Sequence, residues 1–201
     1  MKKNISLKNI IGKTDIYLID QIMKERYQTT DIILDAGCGD GRNMFWFLQN
    51  EIEIYGMDSN NNIIQQLQNE NVNLPHNKFQ VATVENIPFS QEYFHHIICI
   101  AVLHFAKNKN HFFEMMTELV RVLKPKGSLF IRIASDIGLE TKIKFNEDGV
   151  YTIPDGTNRF LLTKSLLQEL MNQFNLSFLE PLKTVNVNDE RCMSTLVLQK
   201  N

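Results

Sequence analysis

Residues 32–43 read Ile32-Ile33-Leu34-Asp35-Ala36-Gly37-Cys38-Gly39-Asp40-Gly41-Arg42-Asn43. An apolar run of β-forming residues ends on a carboxylate and enters a loop with three glycines at alternate positions. The loop leads into Phe45, Trp46, Phe47 and Leu48. This is the pattern of a strand, a tight glycine turn and a helix. The glycines supply positive φ or let a ligand approach bare backbone. The helix start behind them presents unpaired N–H groups and a positive dipole end. Such a turn holds a small polar ligand at the carboxyl edge of a parallel sheet. An ordinary Gly-rich βα turn carries the same signal.

Working outward, strand and helix patterns alternate, which predicts an α/β fold with a mainly parallel sheet. The expected strands are 31–35, 53–57, 78–82, 94–100 and 128–134, followed by an antiparallel pair at 177–187 and 193–199. Thr14 or Asp15 caps a first helix carrying Ile16, Ile19, Ile22, Met23 and Tyr27. A helix follows the glycine turn over 41–50. Ser59 caps the next helix, with Ile63, Ile64 and Leu67 inward. A longer helix spans 110–123 and stops at Lys124-Pro125-Lys126-Gly127. Thr163 caps the last helix, which carries Leu166, Leu167, Leu170, Met171 and Phe174. Between them, 135–162 is the least regular region and holds one hairpin, 142–145 with 150–153. The expected organisation is a single domain over 1–201, with 1–30 as an N-terminal cap or lid helix and 135–162 as an insert near an acceptor site.

The 201 residues carry a formal net charge of -2, with 43% hydrophobic and 22% charged residues. That fits a soluble globular chain and gives no reason to expect a nucleic-acid partner. Cys38, Cys99 and Cys192 are far apart and form no C-x-x-C pair, so neither a disulfide framework nor a zinc site is expected. No apolar stretch follows the basic start Met1-Lys2-Lys3, so no leader peptide is expected. The longest apolar run, 97–103, is too short to span a bilayer. The expected location is cytoplasmic, as a monomer or homodimer.

Spacing decides between ligands. A dinucleotide fingerprint begun at Gly37 would need its third glycine where Arg42 stands. The pattern Asp-x-Gly-x-Gly-x-Gly, from Asp35 to Gly41, instead resembles motif I of the class I S-adenosylmethionine-dependent methyltransferases. Four further segments resemble that family in order. Gly56-Met57-Asp58-Ser59 ends the second strand on an acid, which is either the ribose-binding carboxylate or an Asx turn. Val81-Ala82-Thr83-Val84-Glu85-Asn86-Ile87-Pro88-Phe89 resembles G-D-A-x-x-L-P-F, with Thr83 in place of the acid. Phe94-His95-His96-Ile97-Ile98-Cys99-Ile100-Ala101-Val102-Leu103-His104-Phe105 resembles F-D-x-V-x-x-x-x-V-L-H-H. Leu119-Val120-Arg121-Val122-Leu123-Lys124-Pro125-Lys126-Gly127-Ser128-Leu129 resembles R-V-L-K-P-G-G-x-L, with Lys126 replacing the first glycine. The matches cover about half the chain, 32–133.

The resemblance implies a Rossmann-like sheet of seven mostly parallel strands in the order 3-2-1-4-5-7-6, the last strand antiparallel. It implies S-adenosylmethionine as methyl donor, S-adenosylhomocysteine as product, and no metal. By the same resemblance, Asp35, Ala36, Gly37, Cys38, Gly39, Gly41 and Asn43 hold the methionine part. Asp58 and Ser59 take the ribose. Thr83, Val84 and Glu85 take the adenine, and Ile100, Ala101 and Val102 line the pocket wall.

His104 sits at the catalytic edge, either as a general base or as pocket wall. Tyr17 and Arg159 are candidate acceptor residues. His95 and His96 are adjacent on a strand, point to opposite faces and so do not share a metal. No N/D-P-P-Y/F motif follows the fourth strand, where Ala101-Val102-Leu103-His104 stands, which lowers nucleobase or amide nitrogen as the acceptor. The expected activity is methyl transfer to a small-molecule acceptor. A non-catalytic S-adenosylmethionine-binding protein and an NAD-dependent oxidoreductase are the alternatives.

Overall fold

Ile97 and Ile98, in the most apolar strand, are wholly inaccessible to solvent, and the fold is layered around them. The computed structural model describes residues 6–201; the basic start read above lies outside the described residues. The main sheet contains β1 (Ile32–Ala36), β2 (Glu53–Asp58), β3 (Phe79–Val81), β4 (Phe94–Ile100) and β5 (Leu123–Ala134). Three later segments, β9 (Leu176–Phe178), β10 (Lys183–Val187) and β11 (Arg191–Lys200), complete it. A separate small sheet holds β6 (Lys144–Glu147), β7 (Val150–Thr152) and β8 (Asn158–Phe160). The helices are α1 (Leu7–Ile11), α2 (Ile16–Met23), α3 (Phe45–Gln49), α4 (Asn61–Glu70), α5 (Lys109–Val122) and α6 (Lys164–Phe174).

The spatial order is β10-β11-β5-β4-β1-β2-β3. Strand β1 runs parallel to β2 and β4, β2 to β3, and β4 to β5. Strand β11 is antiparallel to β5. This is the expected 3-2-1-4-5-7-6 arrangement with one addition. The strand expected over 177–187 is broken in two, and both halves pair with β11, β9 at its C-terminal end and β10 at its N-terminal end. The break falls at Glu180-Pro181, and proline cannot donate to a ladder. The sheet therefore has eight strands.

Each face of the sheet is packed by helices because β1, β4 and β5 are apolar on both sides. On one face Leu34, Ile97, Leu129 and Ile131 meet Phe112, Met116 and Leu119 of α5 and Leu170 of α6. On the other, Ile33, Ile54, Ile98 and Phe130 meet Leu18 of α2, Phe47 of α3 and Ile64 of α4. Phe47, Phe94, Phe112, Phe130 and Phe160 are among the largest fully buried side chains. Burial of each contributes on the order of 2–3 kcal/mol before cavity effects.

Helix starts mostly follow their caps. Asp15 accepts from the Tyr17 N–H, and Thr163 accepts from the Leu166 N–H at 3.1 Å. The cap expected from Ser59 is instead Asn60, whose side chain accepts from Asn62 and Ile63. The reason is that Asp58 takes the Asn60 N–H, which shifts the helix start by one residue. Asn108 starts α5 by accepting from the His111 N–H at 2.8 Å.

The inward face of α2 differs from the expected stripe. Ile16 and Met23 are 70% and 78% exposed, while Leu18 and Gln21 are buried. Gln21 is held there by polar bonds that hydrophobic periodicity does not register. Its amide donates to Asp20 and Glu180, and its carbonyl accepts from Arg26.

The expected hairpin in 135–162 is a three-stranded antiparallel sheet. Its extra strand, β8, follows a turn in which Asp155 accepts from both the N–H and the hydroxyl of Thr157. Lys126 takes φ +65° at the place where the resemblance expects glycine. A Cβ on the adjacent Gly127 would stand 2.7 Å from the His95 carbonyl oxygen, so this glycine keeps the turn against β4.

Candidate active site

The carboxyl ends of β1, β2 and β4 open into a cavity of about 390 Å³. Its walls include Gly37, Asp58, Ser59, Thr83, Val84 and Glu85, with Ile100, Ala101 and Val102 opposite. These nine residues were all expected to share a site, and the structure brings them together. Asp58 ends β2 with one oxygen accepting from the Gly39 N–H at 3.0 Å and the other from Asn60 at 2.9 Å. Each oxygen keeps a second lone pair for a hydroxyl. Gly37 has φ +83°, and a Cβ there would overlap Val102 Cγ2 at 2.3 Å. Glycine is therefore required on both steric and backbone grounds.

The remaining residues of the glycine segment are placed around this cavity, not in its wall. Asp35 and Ala36 are fully buried below the turn. Both Asp35 oxygens are buried without a hydrogen-bond partner among the described residues. Burial raises its pKa to about 7, against a smaller lowering by Arg42. Cys38 is buried and its thiol is pushed up by burial, so it stays protonated. Asn43 spends its side-chain carbonyl on the Asp15 N–H at 3.0 Å. Gly41 lies on the outer side of the turn beside Arg42 and Phe45.

Four wall residues escaped the sequence reading: Ala82, Phe105, His111 and Met115. The two of α5, His111 and Met115, belong to a helix in which the sequence singled out no site residue. His111 Nε2 lies 3.3 Å from Glu85 Oε1. Burial would raise the Glu85 pKa, but a backbone amide, His111 and Thr83 outweigh it and hold the carboxyl lowered. Phe105 is 60% exposed, and only its replacement of a second histidine in the resembled motif marked it in the sequence.

The loop that follows β3 is fixed from α5. Arg121 donates to the carbonyls of Phe89 and Ile87 at 2.8 and 2.9 Å. Glu118 pairs with Arg121 and accepts from the Ile87 N–H at 2.9 Å. The arginine of the fifth motif thus anchors the third.

A second cavity of about 410 Å³ adjoins the first. Ala101 lines both. It is a non-glycine residue at φ +60°, set where β4 ends and its N–H donates to the Arg132 carbonyl. His104 lines this second cavity, with Nδ1 buried and unpartnered among the described residues. Burial, then the nearby Arg159 guanidinium, lowers its pKa to about 4. The ring is neutral at pH 7 and a weak proton acceptor. Arg159, on β8, also lines the cavity and lies 5.0 Å over the Phe105 ring. Tyr17 is set behind the wall, its ring 4.6 Å from the Arg132 guanidinium. Arg132 is ion-paired with Asp15.

His95 and His96 point apart, as expected from the strand. His95 Nδ1 accepts from the Ile32 N–H, while His96 contacts Ser128 and Asp31 at 2.6 and 3.0 Å. No helix among the described residues is long and apolar enough to cross a membrane.

Residues 34–131 match the family described as "Methyltransferase domain". Over 109 residues the chain is 31% identical to a tRNA (carboxymethyluridine(34)-5-O)-methyltransferase of Arabidopsis thaliana. That match takes in 54% of this chain and 25% of the relative, so the chain spans about a quarter of the relative's length. Among solved structures, a SAM-dependent methyltransferase from Methanosarcina mazei superposes with a TM-score of 0.72 at 18% identity, covering 89% of this chain and 96% of that one. A 1,6-didemethyltoxoflavin-N1-methyltransferase of Burkholderia thailandensis, solved with 1,6-didemethyltoxoflavin and S-adenosylhomocysteine, gives 0.67 at 14% identity, covering 98% and 81%. Both likenesses are likenesses of fold.

Proposed function

We propose that this chain, whose residues 34–131 match the methyltransferase domain family, is a class I S-adenosylmethionine-dependent methyltransferase that transfers a methyl group from S-adenosylmethionine to a small-molecule acceptor. The observation that carries this reading is the pair of cavities meeting at Ala101, one walled mainly by motif residues and one mainly by residues outside the motifs.

The donor-side residues fit the cofactor. Asp58 has free lone pairs at the cavity wall for both ribose hydroxyls. The orphaned Asp35 carboxyl supplies a negative partner below the turn for the amine end. Thr83, the Val84 N–H and Glu85 border the side left for the adenine. The cofactor supplies a methyl made electrophilic by its sulfonium. The chain's own residues align it with the acceptor and exclude water. The acceptor's lone pair forms the new bond to the methyl carbon while the carbon–sulfur bond breaks, its electron pair staying on sulfur. His104 borders the acceptor side as a neutral imidazole. It orients an acceptor by hydrogen bonding and takes a proton only weakly.

Calorimetric titration with S-adenosylmethionine, S-adenosylhomocysteine and NAD tests the cofactor assignment. Transfer of labelled methyl to a panel of small acceptors, with total tRNA included because of the plant relative, tests the acceptor class. Binding of NAD with no binding of S-adenosylmethionine overturns the reading. Cofactor binding without product on any acceptor favours a non-catalytic binding protein.

A further inference from the structure

Four arginines that are far apart in the chain, Arg42, Arg132, Arg159 and Arg191, converge on the second cavity, against two acids, Asp15 and Asp155. The acids are already committed. Asp15 caps α2 and pairs with Arg132, and Asp155 accepts two bonds from Thr157. Of the four arginines, Arg132 alone is ion-paired among the described residues. Arg42 and Arg191 make no side-chain hydrogen bond among the described residues, and Arg159 donates only to the carbonyl of Asn158. Arg132 keeps its Nε buried and without a partner. A buried, unsatisfied guanidinium N–H is costly to leave unmade. Apart from His104 the rest of the wall is apolar, with Ile153, Val185 and Met193 among it.

We infer that the acceptor is a small organic anion, an apolar body carrying a carboxylate or phosphate group that these guanidinium groups hold. The inference rests on the two-cavity reading above and names the substrate class of its acceptor side. Planar guanidinium forks match oxyanions in two parallel hydrogen bonds, and they cannot be discharged by a change of pH. The cavity has the size of a small-molecule site. A phosphodiester chain would need basic residues spread along a surface groove, and these four line one hollow instead.

The test uses the full chain saturated with S-adenosylhomocysteine. Phenylacetate, hexanoate and phenyl phosphate are titrated against phenylacetamide and hexanamide, which keep the bodies and remove the charge. The anions are expected to bind at least about tenfold tighter than the amides. Comparison of phenylacetate with phenyl phosphate tells which oxyanion is preferred. Arg159→Gln and Arg191→Gln should each weaken the anions about tenfold and leave the amides as they were. Equal binding of anion and amide overturns the inference. So does absence of anion binding up to about 10 mM, or competition by tRNA alone. If S-adenosylhomocysteine itself fails to bind, the cofactor reading has failed separately, and the same titration on the free protein still decides the anion site.

Discussion

The side-chain carbonyl of Asn43 accepts the backbone N–H of Asp15 at 3.0 Å, across 28 positions of sequence. Asp15 is at once the cap of α2 and the ion-pair partner of Arg132 on β5. Three pieces of the molecule therefore meet at one residue: the helix expected to form a cap, the glycine turn and the strand beneath the second cavity. Asn43→Ala leaves a buried N–H unpaired at a cost of about 1–3 kcal/mol. The urea midpoint should fall, and α2 should become more open to hydrogen exchange than the sheet. An unchanged midpoint would show that Asp15 is held by its arginine alone.

Asp58 spends one lone pair of each oxygen inside the protein. Asp58→Ala should weaken S-adenosylmethionine by roughly 1–3 kcal/mol, read as a tenfold to hundredfold rise in Kd by calorimetry. Asp58→Asn should fall between, since the amide retains one acceptor. Full affinity in a folded Asp58→Ala protein would remove the ribose role.

Asp35 carries a pH signature. Its folded pKa of about 7 lies above the unfolded value near 4, so between those limits the folded chain binds the extra proton. Stability from this group is therefore present at low pH and declines as pH rises from about 4 to about 7. Asp35→Asn should raise Tm most at pH 8 and little at pH 4. If the cofactor amine is its partner, binding at pH 6.5 should release protons, seen as a dependence of calorimetric heat on the buffer's ionisation enthalpy. Asp35→Asn should abolish that dependence.

The lowered pKa of His104 fixes the form of a rate profile. The ring is unprotonated from about pH 5 upward, so kcat/KM should be flat between pH 6 and 8 as far as this group is concerned. An inflection near 6.5 that disappears in His104→Gln would show a base of ordinary strength. His104→Ala should raise KM for the acceptor more than it lowers kcat.

Arg121 lies outside both cavities, yet two of its side-chain bonds hold the loop that follows β3, while others hold Glu118 on its own helix. Arg121→Ala should weaken S-adenosylmethionine several-fold through loosening of 83–89, without altering acceptor KM. Arg121→Lys should restore little, because a single ammonium cannot reach both carbonyls and the carboxylate.

How much of this was legible depended on distance along the chain. The central strands were readable because long apolar runs leave few other fates for Ile97, Ile98 and Ile131. Most of the first cavity was readable because nine of its residues follow strand ends in order, each within one short motif. The strand carrying Arg159 was not. It has three residues, and the Pro154-Asp155-Gly156 turn before it was the only local signal. The division at Pro181 was written in the sequence as a residue without an N–H, but the run around it read as continuous. The arginine cluster had no local signature. Arg42 was informative in the sequence only as a non-glycine, and its three companions come from separate elements that the fold alone assembles. Asn60 displaced Ser59 as a cap because a neighbouring carboxylate set the helix phase, a contact that propensity does not contain.

Ala101 bounds both cavities while its backbone sits at φ +60°. A side chain branched at Cβ would pay about 1–2 kcal/mol or more to adopt that conformation. The two cavities therefore meet at a small side chain, and backbone geometry disfavours a branched one there. The insert and β10 and β11 contribute only to the second cavity, so substitutions in them change that cavity without touching the residues of the first. On the proposed reading, acceptor preference is open to alteration at a remove from the cofactor site, with the meeting point at Ala101 left as it is.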